Sequence, residues 1–414
     1  MNSRERVLTA LNHQQPDRPP VDLGGHRSST IMAIAYRKLK EALGITSGSI
    51  YVYDMVMQLA IIEPDVMDAL GLDVVELGRA FLLEEKDWKD WVLPDGTPCR
   101  IPAYINVERQ GEDWYLLSDD GQHLAVQKPG MLYFDQVHWP LANTDFENEE
   151  FPVERLREAF KHSMWTGVAT PGSHLPLTDD GLQQLAAGAK ALRESTDRAI
   201  LAYAPGGSMF DINSQILFGA EDYLMNMALY PEACIRLSEN LCQLYLEDLE
   251  RWAGAVGPYI DVAMFADDLG GQNGPFMSQA MFRRYYLPYF RQVWTRTKEL
   301  TEAKTLLHVD GGIEPLLDDL IDAGLDAINP VQITCRDMDA RHLKAKFGDR
   351  LSFWGGGCDT RDILPRGTPE DVRRHVRQQV AILNAGGGFI FTQVHNIQAD
   401  VPIENILAMY EAMH

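Results

Sequence analysis

The sequence predicts a (β/α)₈ barrel, and three observations predict it. Eight short apolar runs are spread along 414 residues, helical patterns lie between most of them, and polar residues capable of chemistry follow the runs directly. A parallel sheet buried on both faces writes its strands as near-continuous apolar runs. Barrels of this kind carry their working residues at the C-terminal strand ends, so the third observation tests the first two.

The runs lie at 20–23, 74–77, 199–203, 261–265, 305–308, 327–329, 351–354 and 389–392. Apolar spacing near 3.6 marks helices at 181–195, 223–254, 278–300, 314–323, 338–347 and 369–385. The last of these opens on Thr368-Pro369-Glu370-Asp371, which sets a cap, a first-turn proline and two acids in order. The rhythm breaks between 81 and 143. Pro94-Asp95-Gly96-Thr97 and Ser118-Asp119-Asp120-Gly121 read as turns, and Trp114-Tyr115-Leu116-Leu117 between them as a strand. We therefore expect one domain over 1–414, carrying a β-rich insertion between barrel strands two and three.

Composition narrows the function. The hydrophobic fraction of 45% is ample for a core, and the net charge of -23 repels phosphates, which argues against nucleic acid. No apolar run approaches the roughly 20 residues that span a membrane. Met1–Arg6 lacks the apolar segment of a signal peptide. Five cysteines with no CxxC pair lead us to expect a reduced, cytoplasmic protein. Neither a dinucleotide fingerprint nor a P-loop is present, so NAD and ATP are not indicated.

The most informative stretch is Leu306-Leu307-His308-Val309-Asp310-Gly311-Gly312. His308 and Asp310 are two apart, so on extended chain their side chains leave on one side. They read as half of a metal site or as a buried histidine bonded to a capping aspartate. The other strand ends supply Asp22, Glu76, Asp267 with Asp268, Asn329, Cys358 and His395, a regularity that favours the metal reading. His395, in Thr392-Gln393-Val394-His395-Asn396, either completes a metal set or bonds a substrate. Cys358, after three glycines, is either a thiolate ligand or a small buried hydrophobe. Of Asp267 and Asp268, one is expected to cap a helix and the other to face substrate or metal. Asp54 reads as the N-cap of a following helix or as a catalytic carboxylate. His26 and Arg27 in the loop after strand one, with Glu76, Gln272 and Asn329, are the expected substrate-binding set.

Arg4-Glu5-Arg6-Val7-Leu8-Thr9-Ala10-Leu11-Asn12, Pro16-Asp17-Arg18-Pro19-Pro20-Val21, Gly367-Thr368-Pro369-Glu370-Asp371-Val372 and Val401-Pro402-Ile403-Glu404-Asn405-Ile406 resemble the uroporphyrinogen decarboxylase superfamily. The resemblance runs from first helix to last, interrupted mainly by the insertion. It implies a barrel and one of two chemistries: cofactor-free decarboxylation, or zinc-assisted methyl transfer to corrinoid proteins. The decarboxylases are similar to one another in an arginine-bearing loop after strand one, whereas Leu23-Gly24-Gly25-His26-Arg27-Ser28 holds one arginine in a different pattern. The methyltransferases are similar in a His-x-Cys motif after strand five and a Cys after strand eight. By position, His308 matches the histidine, Asp310 stands for the first cysteine and His395 stands near the second. Such a set is harder than a thiolate site and suits polarising an oxygen. The resemblance thus implies zinc on His308, Asp310 and His395, with Cys358 as an added candidate. It implies a methoxylated or methylated small molecule as donor and a corrinoid protein as partner, and leaves a homodimer open. A metal-independent decarboxylase using Asp54 or Asp267, and a non-catalytic ligand-binding barrel, are the alternatives.

Overall fold

The computed structural model describes residues 1–413, and of 206–208 only the strand they lie in. Seven parallel strands form one curled sheet: Val74–Glu76, Ala199–Ser208, Val262–Ala266, Lys304–His308, Ala327–Asn329, Ser352–Trp354 and Phe389–Ile390, each paired with its neighbours in chain order. The first expected strand shrinks to a single parallel bridge between Val21 and Phe391. That bridge still closes the barrel. The Asp22 N–H donates to the Phe391 carbonyl and the Phe391 N–H to the Pro20 carbonyl, both at 2.8 Å, and on the other side the Asp73 N–H donates to the Val21 carbonyl at 2.8 Å. Two prolines just before Val21 remove the N–H groups a longer ladder would need.

Alternation along the strands creates two cores. Val74, Leu201, Met264, Leu306, Ala327, Trp354 and Ile390 point into the barrel and form one buried cluster. The alternate residues Val75, Ile200, Phe265, Leu307, Ile328 and Phe353 pack outward against the helices. The helix Ser3–Leu11, held at its start by an Asn2/Glu5 capping box, drives Val7, Ala10 and Leu11 into the inner cluster and plugs the bottom. Val7 and Leu11 each add roughly 1.5–3 kcal/mol by leaving water. Below the strands, buried Asp73 takes Arg6 at 2.6 Å, Arg18 at 2.7 Å and the Val21 N–H at 2.9 Å. The arginines that mark the family resemblance thus work at the closed end, away from chemistry.

Hairpins fill the interval between strands two and three. Trp88–Val92 pairs with Pro98–Pro102, and a meander runs Asn106–Gln110, Asp113–Leu117, His123–Gln127, Asp135–Gln136, all antiparallel. Gly96 and Gly121 take positive φ at the two expected turns.

Two expected long helices are each broken. The first is Ala220–Leu229 followed by Pro231–Val256, and the second Gln279–Tyr285 followed by Leu287–Leu300. Pro231 forces Tyr230 out of helical geometry, and Pro288 sits in the first turn of the later segment. No helix follows Asp54 directly. Val52–Asp54 is a strand that turns back onto Leu59–Ala60, and the Asp54 carboxylate accepts the Met57 N–H at 2.9 Å within that turn. No helix among the described residues is long and apolar enough to cross a membrane.

Candidate functional site

The inward parity that places Leu306 in the barrel also turns His308 into its mouth, one residue pair higher. Asn329 stands beside it at the end of the next strand, paired in register. Asp310 follows on the loop, and His395 arrives from beyond the eighth strand in a left-handed conformation with φ of 63°. The result is one cluster. The Nε2 atoms of His308 and His395 lie 3.9 and 3.8 Å from the same oxygen, Asp310 Oδ2. One donor atom from each of the three residues falls within 4.8 Å of the others, and all three side chains are half-buried. Two imidazole nitrogens and one carboxylate oxygen are a donor set suited to zinc or another first-row divalent ion, so the residues fit the metal that the sequence led us to expect.

Further contacts hold this cluster. Gln332 Nε2 donates to Asp310 Oδ1 at 2.9 Å, which leaves Oδ2 to face the histidines. Gln332 Oε1 in turn accepts the Gly311 N–H at 2.8 Å and the Cys335 thiol at 3.3 Å. Asn329 Oδ1 meets His308 Nδ1 at 2.9 Å, and Asn396 Oδ1 meets His395 Nδ1 at 3.1 Å. Asp268 accepts the Asp310 N–H at 3.3 Å, and burial, reinforced by the Asp310 charge, pushes its carboxyl up.

A polar wall adjoins the cluster on the side of strands one to three. Arg27 pairs with Asp54 at 2.6 Å and lies over the rings of Trp165 and Tyr203, at 5.1 and 5.8 Å, with 21% of its side chain exposed. Glu76, buried at the end of strand two, is pushed up to about 7, chiefly by burial. The buried Tyr53 hydroxyl and both amide atoms of Gln58 find no protein partner among the described residues.

The other expected site residues fall elsewhere. Asp267 is fully buried and accepts three backbone N–H groups, from Phe210, Asp211 and Ile212, at 3.0, 3.1 and 2.7 Å. It caps the helix Asp211–Phe218, and Asp268 is the carboxylate of the pair that reaches the cluster. Cys358 is fully buried in the outer core, its thiol 3.9 Å from the Asp359 carbonyl, and it is not one of the clustered donors. Gln272 is exposed on a short hairpin, where it accepts from Arg361 at 3.1 Å. Asn329 and His26 are fully buried. Burial and the nearby His308 and His395 hold His26 well below the usual histidine range. Its neighbour Asp22, 3.8 Å away, is pushed up to about 6 by burial. Sequence reasoning missed Gln332, Cys335 and Asn396. An amide that only supports a ligand carries no spacing signal, although Asn396 stood beside His395.

A family model described as "Uroporphyrinogen decarboxylase (URO-D)" matches residues 171–414. Among curated proteins, the chain is similar to uroporphyrinogen decarboxylase of Legionella pneumophila (strain Corby), 28% identical over 156 residues, which is 37% of this chain and 41% of that protein. It is also similar to uroporphyrinogen decarboxylase of Psychromonas ingrahamii, 27% identical over 177 residues, which is 40% of this chain and 47% of that protein. The chain therefore spans under half the length of these relatives. Among solved structures, it shares its fold with a methyltransferase from Methanosarcina mazei at a TM-score of 0.56 and 16% identity, over 100% of this chain and 98% of that one.

Proposed function

The chain belongs to the uroporphyrinogen decarboxylase family, and on that premise we propose that it is a metal-dependent methyltransferase. The donor would be a methoxylated or similarly methylated small molecule, and the acceptor a corrinoid carried by a partner protein. The observation that carries this reading is the convergence of His308 and His395 Nε2 on one oxygen of Asp310. A cofactor-free decarboxylase has no use for that arrangement. The fold shared with a methyltransferase over the whole chain is consistent with it.

In this reading His308, Asp310 and His395 hold zinc and supply one negative charge between them. When bound, a cation so lightly neutralised would draw electron density from the oxygen that bears the methyl group. The protein's own groups do the rest. Gln332 keeps Asp310 Oδ2 turned toward the histidines. Arg27 and Glu76 bind the polar end of the substrate. Glu76, poised near neutrality, can either donate or accept there. Asp268, whose carboxyl is pushed up by burial and by Asp310, is the group we assign to protonate the departing oxygen. Arg27 already faces Asp54, which makes this wall a poor host for a multiply carboxylated tetrapyrrole.

Metal analysis of the purified protein, paired with a methyl-donor assay containing reduced corrinoid, tests the proposal. Asp310→Ala is expected to lower metal content and abolish demethylation. Asp310→Cys is expected to keep the metal but slow ether cleavage, because a thiolate returns charge to it. Wild-type protein free of metal, with Asp310→Ala fully active on the native substrate, would transfer the case to a decarboxylase.

A further inference from the structure

A histidine can offer a lone pair from either ring nitrogen, and which one it offers is set by what the other bonds. In this barrel two unrelated segments solve that problem in the same way. We infer that Asn329 and Asn396 are positioning residues whose side-chain carbonyls lock His308 and His395 as Nδ1–H tautomers, so that both Nε2 lone pairs face Asp310 before any ligand arrives. For the metal centre this rests on the function proposed above; the tautomers themselves do not.

The orientation of each amide follows from groups that can bond in only one way. Asn329 Nδ2 donates to the Trp354 backbone carbonyl at 2.8 Å. A carbonyl only accepts, so the amide nitrogen must be at that end. Asn329 Oδ1 is then the atom that meets His308 Nδ1 at 2.9 Å, and the ring must donate. Ser28 Oγ donates to the same oxygen at 2.5 Å, which leaves Oγ free to accept at 3.0 Å from His26 Nδ1. The same logic repeats at the other histidine. Gln398 Nε2 lies 3.4 Å from the Asn396 backbone carbonyl and 2.5 Å from Asn396 Oδ1, so that oxygen accepts. His395 Nδ1, 3.1 Å from it, must donate. The Tyr133 hydroxyl donates to Gln398 Oε1 at the other end of that amide. Tyr133 lies in the insertion, between the strands His123–Gln127 and Asp135–Gln136, so the β-rich segment reaches the cluster through Tyr133, Gln398 and Asn396.

The two supports differ in stiffness. Asn329 is fully buried with both amide ends bonded, whereas among the described residues Asn396 Nδ2 has only the Met57 sulfur, at 3.6 Å. His395 also holds a left-handed backbone, with φ of 63°. The His395 arm is the one that a substitution should loosen.

The test is nitrogen-15 NMR of the imidazoles in metal-stripped protein at pH 8, with zinc affinity measured by competition against a chelating dye. In the wild type both rings should show a protonated Nδ1 and an unprotonated Nε2. Asn396→Ala should give His395 mixed tautomers and bind zinc about 10–100-fold more weakly. Asn396→Asp, which keeps the acceptor, should restore the single tautomer and bind within a few-fold of wild type. Tautomer mixing at His395 in the wild type, or unchanged tautomer and affinity in Asn396→Ala, overturns the inference. If the wild type takes up no zinc, the metal reading fails, while the imidazole spectra of wild type and Asn396→Ala still decide the tautomer lock either way.

Discussion

The rings of His308 and His395 lie 5.8 Å apart, although two barrel strands separate the strands that deliver them. Closure of the sheet makes this possible: at the mouth of a barrel, strands that are never hydrogen-bonded neighbours still share an interior. Asp310 lies between the two rings, and its second oxygen is held by Gln332.

Gln332 is expected to matter for metal affinity without touching the metal. Gln332→Ala removes the donor to Asp310 Oδ1 and frees the carboxylate to rotate. Zinc affinity, read by dye competition, should fall about 10–100-fold while the melting temperature changes little. An unchanged affinity would show that Asp310 needs no such hold.

Cys358 and Asp267 should separate structure from chemistry. Cys358→Ala is expected to leave zinc content unchanged and to lower stability modestly, because it opens a small void in the outer core. Asp267→Ala removes a cap from three N–H groups and should cost about 1–3 kcal/mol in urea unfolding, again with zinc content intact. Loss of zinc from stably folded Cys358→Ala would restore the thiol to the ligand set.

Glu76 predicts a pH dependence. Burial raises its pKa from the ordinary 4.5 to about 7, so the folded protein keeps a proton that the unfolded chain releases. Its contribution is therefore fully present below pH 4.5 and is lost as pH rises through about 7, an effect of roughly 3 kcal/mol. Glu76→Gln should flatten that part of the stability profile. Equal slopes for variant and wild type between pH 4.5 and 8 would contradict the assignment.

At the closed end, Asp73→Ala should be costly. It leaves Arg6 with Asp17 alone, takes the buried carboxylate away from Arg18 and frees the Val21 N–H, a loss of about 3–5 kcal/mol in denaturant unfolding. A change under 1 kcal/mol would mean that these arginines find other partners.

Much of this was legible in the residues, and the limits have physical causes. Period-two alternation put His308 and Asp310 on one side, and the position of His395 after an apolar run put it at the mouth. Cys358 follows an apolar run too, but three glycines intervene, and backbone of that freedom hides where a side chain will face. Asp267 and Asp268 could not be told apart, because adjacent residues point opposite ways and only the helix Asp211–Phe218 decides which one is used as a cap. Pro231 and Pro288 did announce the helix breaks, but continuous apolar spacing outweighed them. The roles of Asn329, Gln332 and Asn396 depend on contacts between segments far apart in the chain, and no local pattern encodes those.

The bridge between Val21 and Phe391 also has a consequence in time. Every other contact in the barrel sheet joins strands that follow one another along the chain, so it can form while the protein is being assembled unit by unit. The closing contact joins the first and last strands of the barrel and bears the largest loop-closure entropy, which leads us to expect it late in folding. His395 lies just beyond Phe391, in a segment held on one side by the Val394 N–H to the Cys358 carbonyl at 2.8 Å and on the other by the closing contact. The stretch of chain that completes the barrel's wall thus also delivers the third member of its candidate site, so the wall and the site depend on one segment.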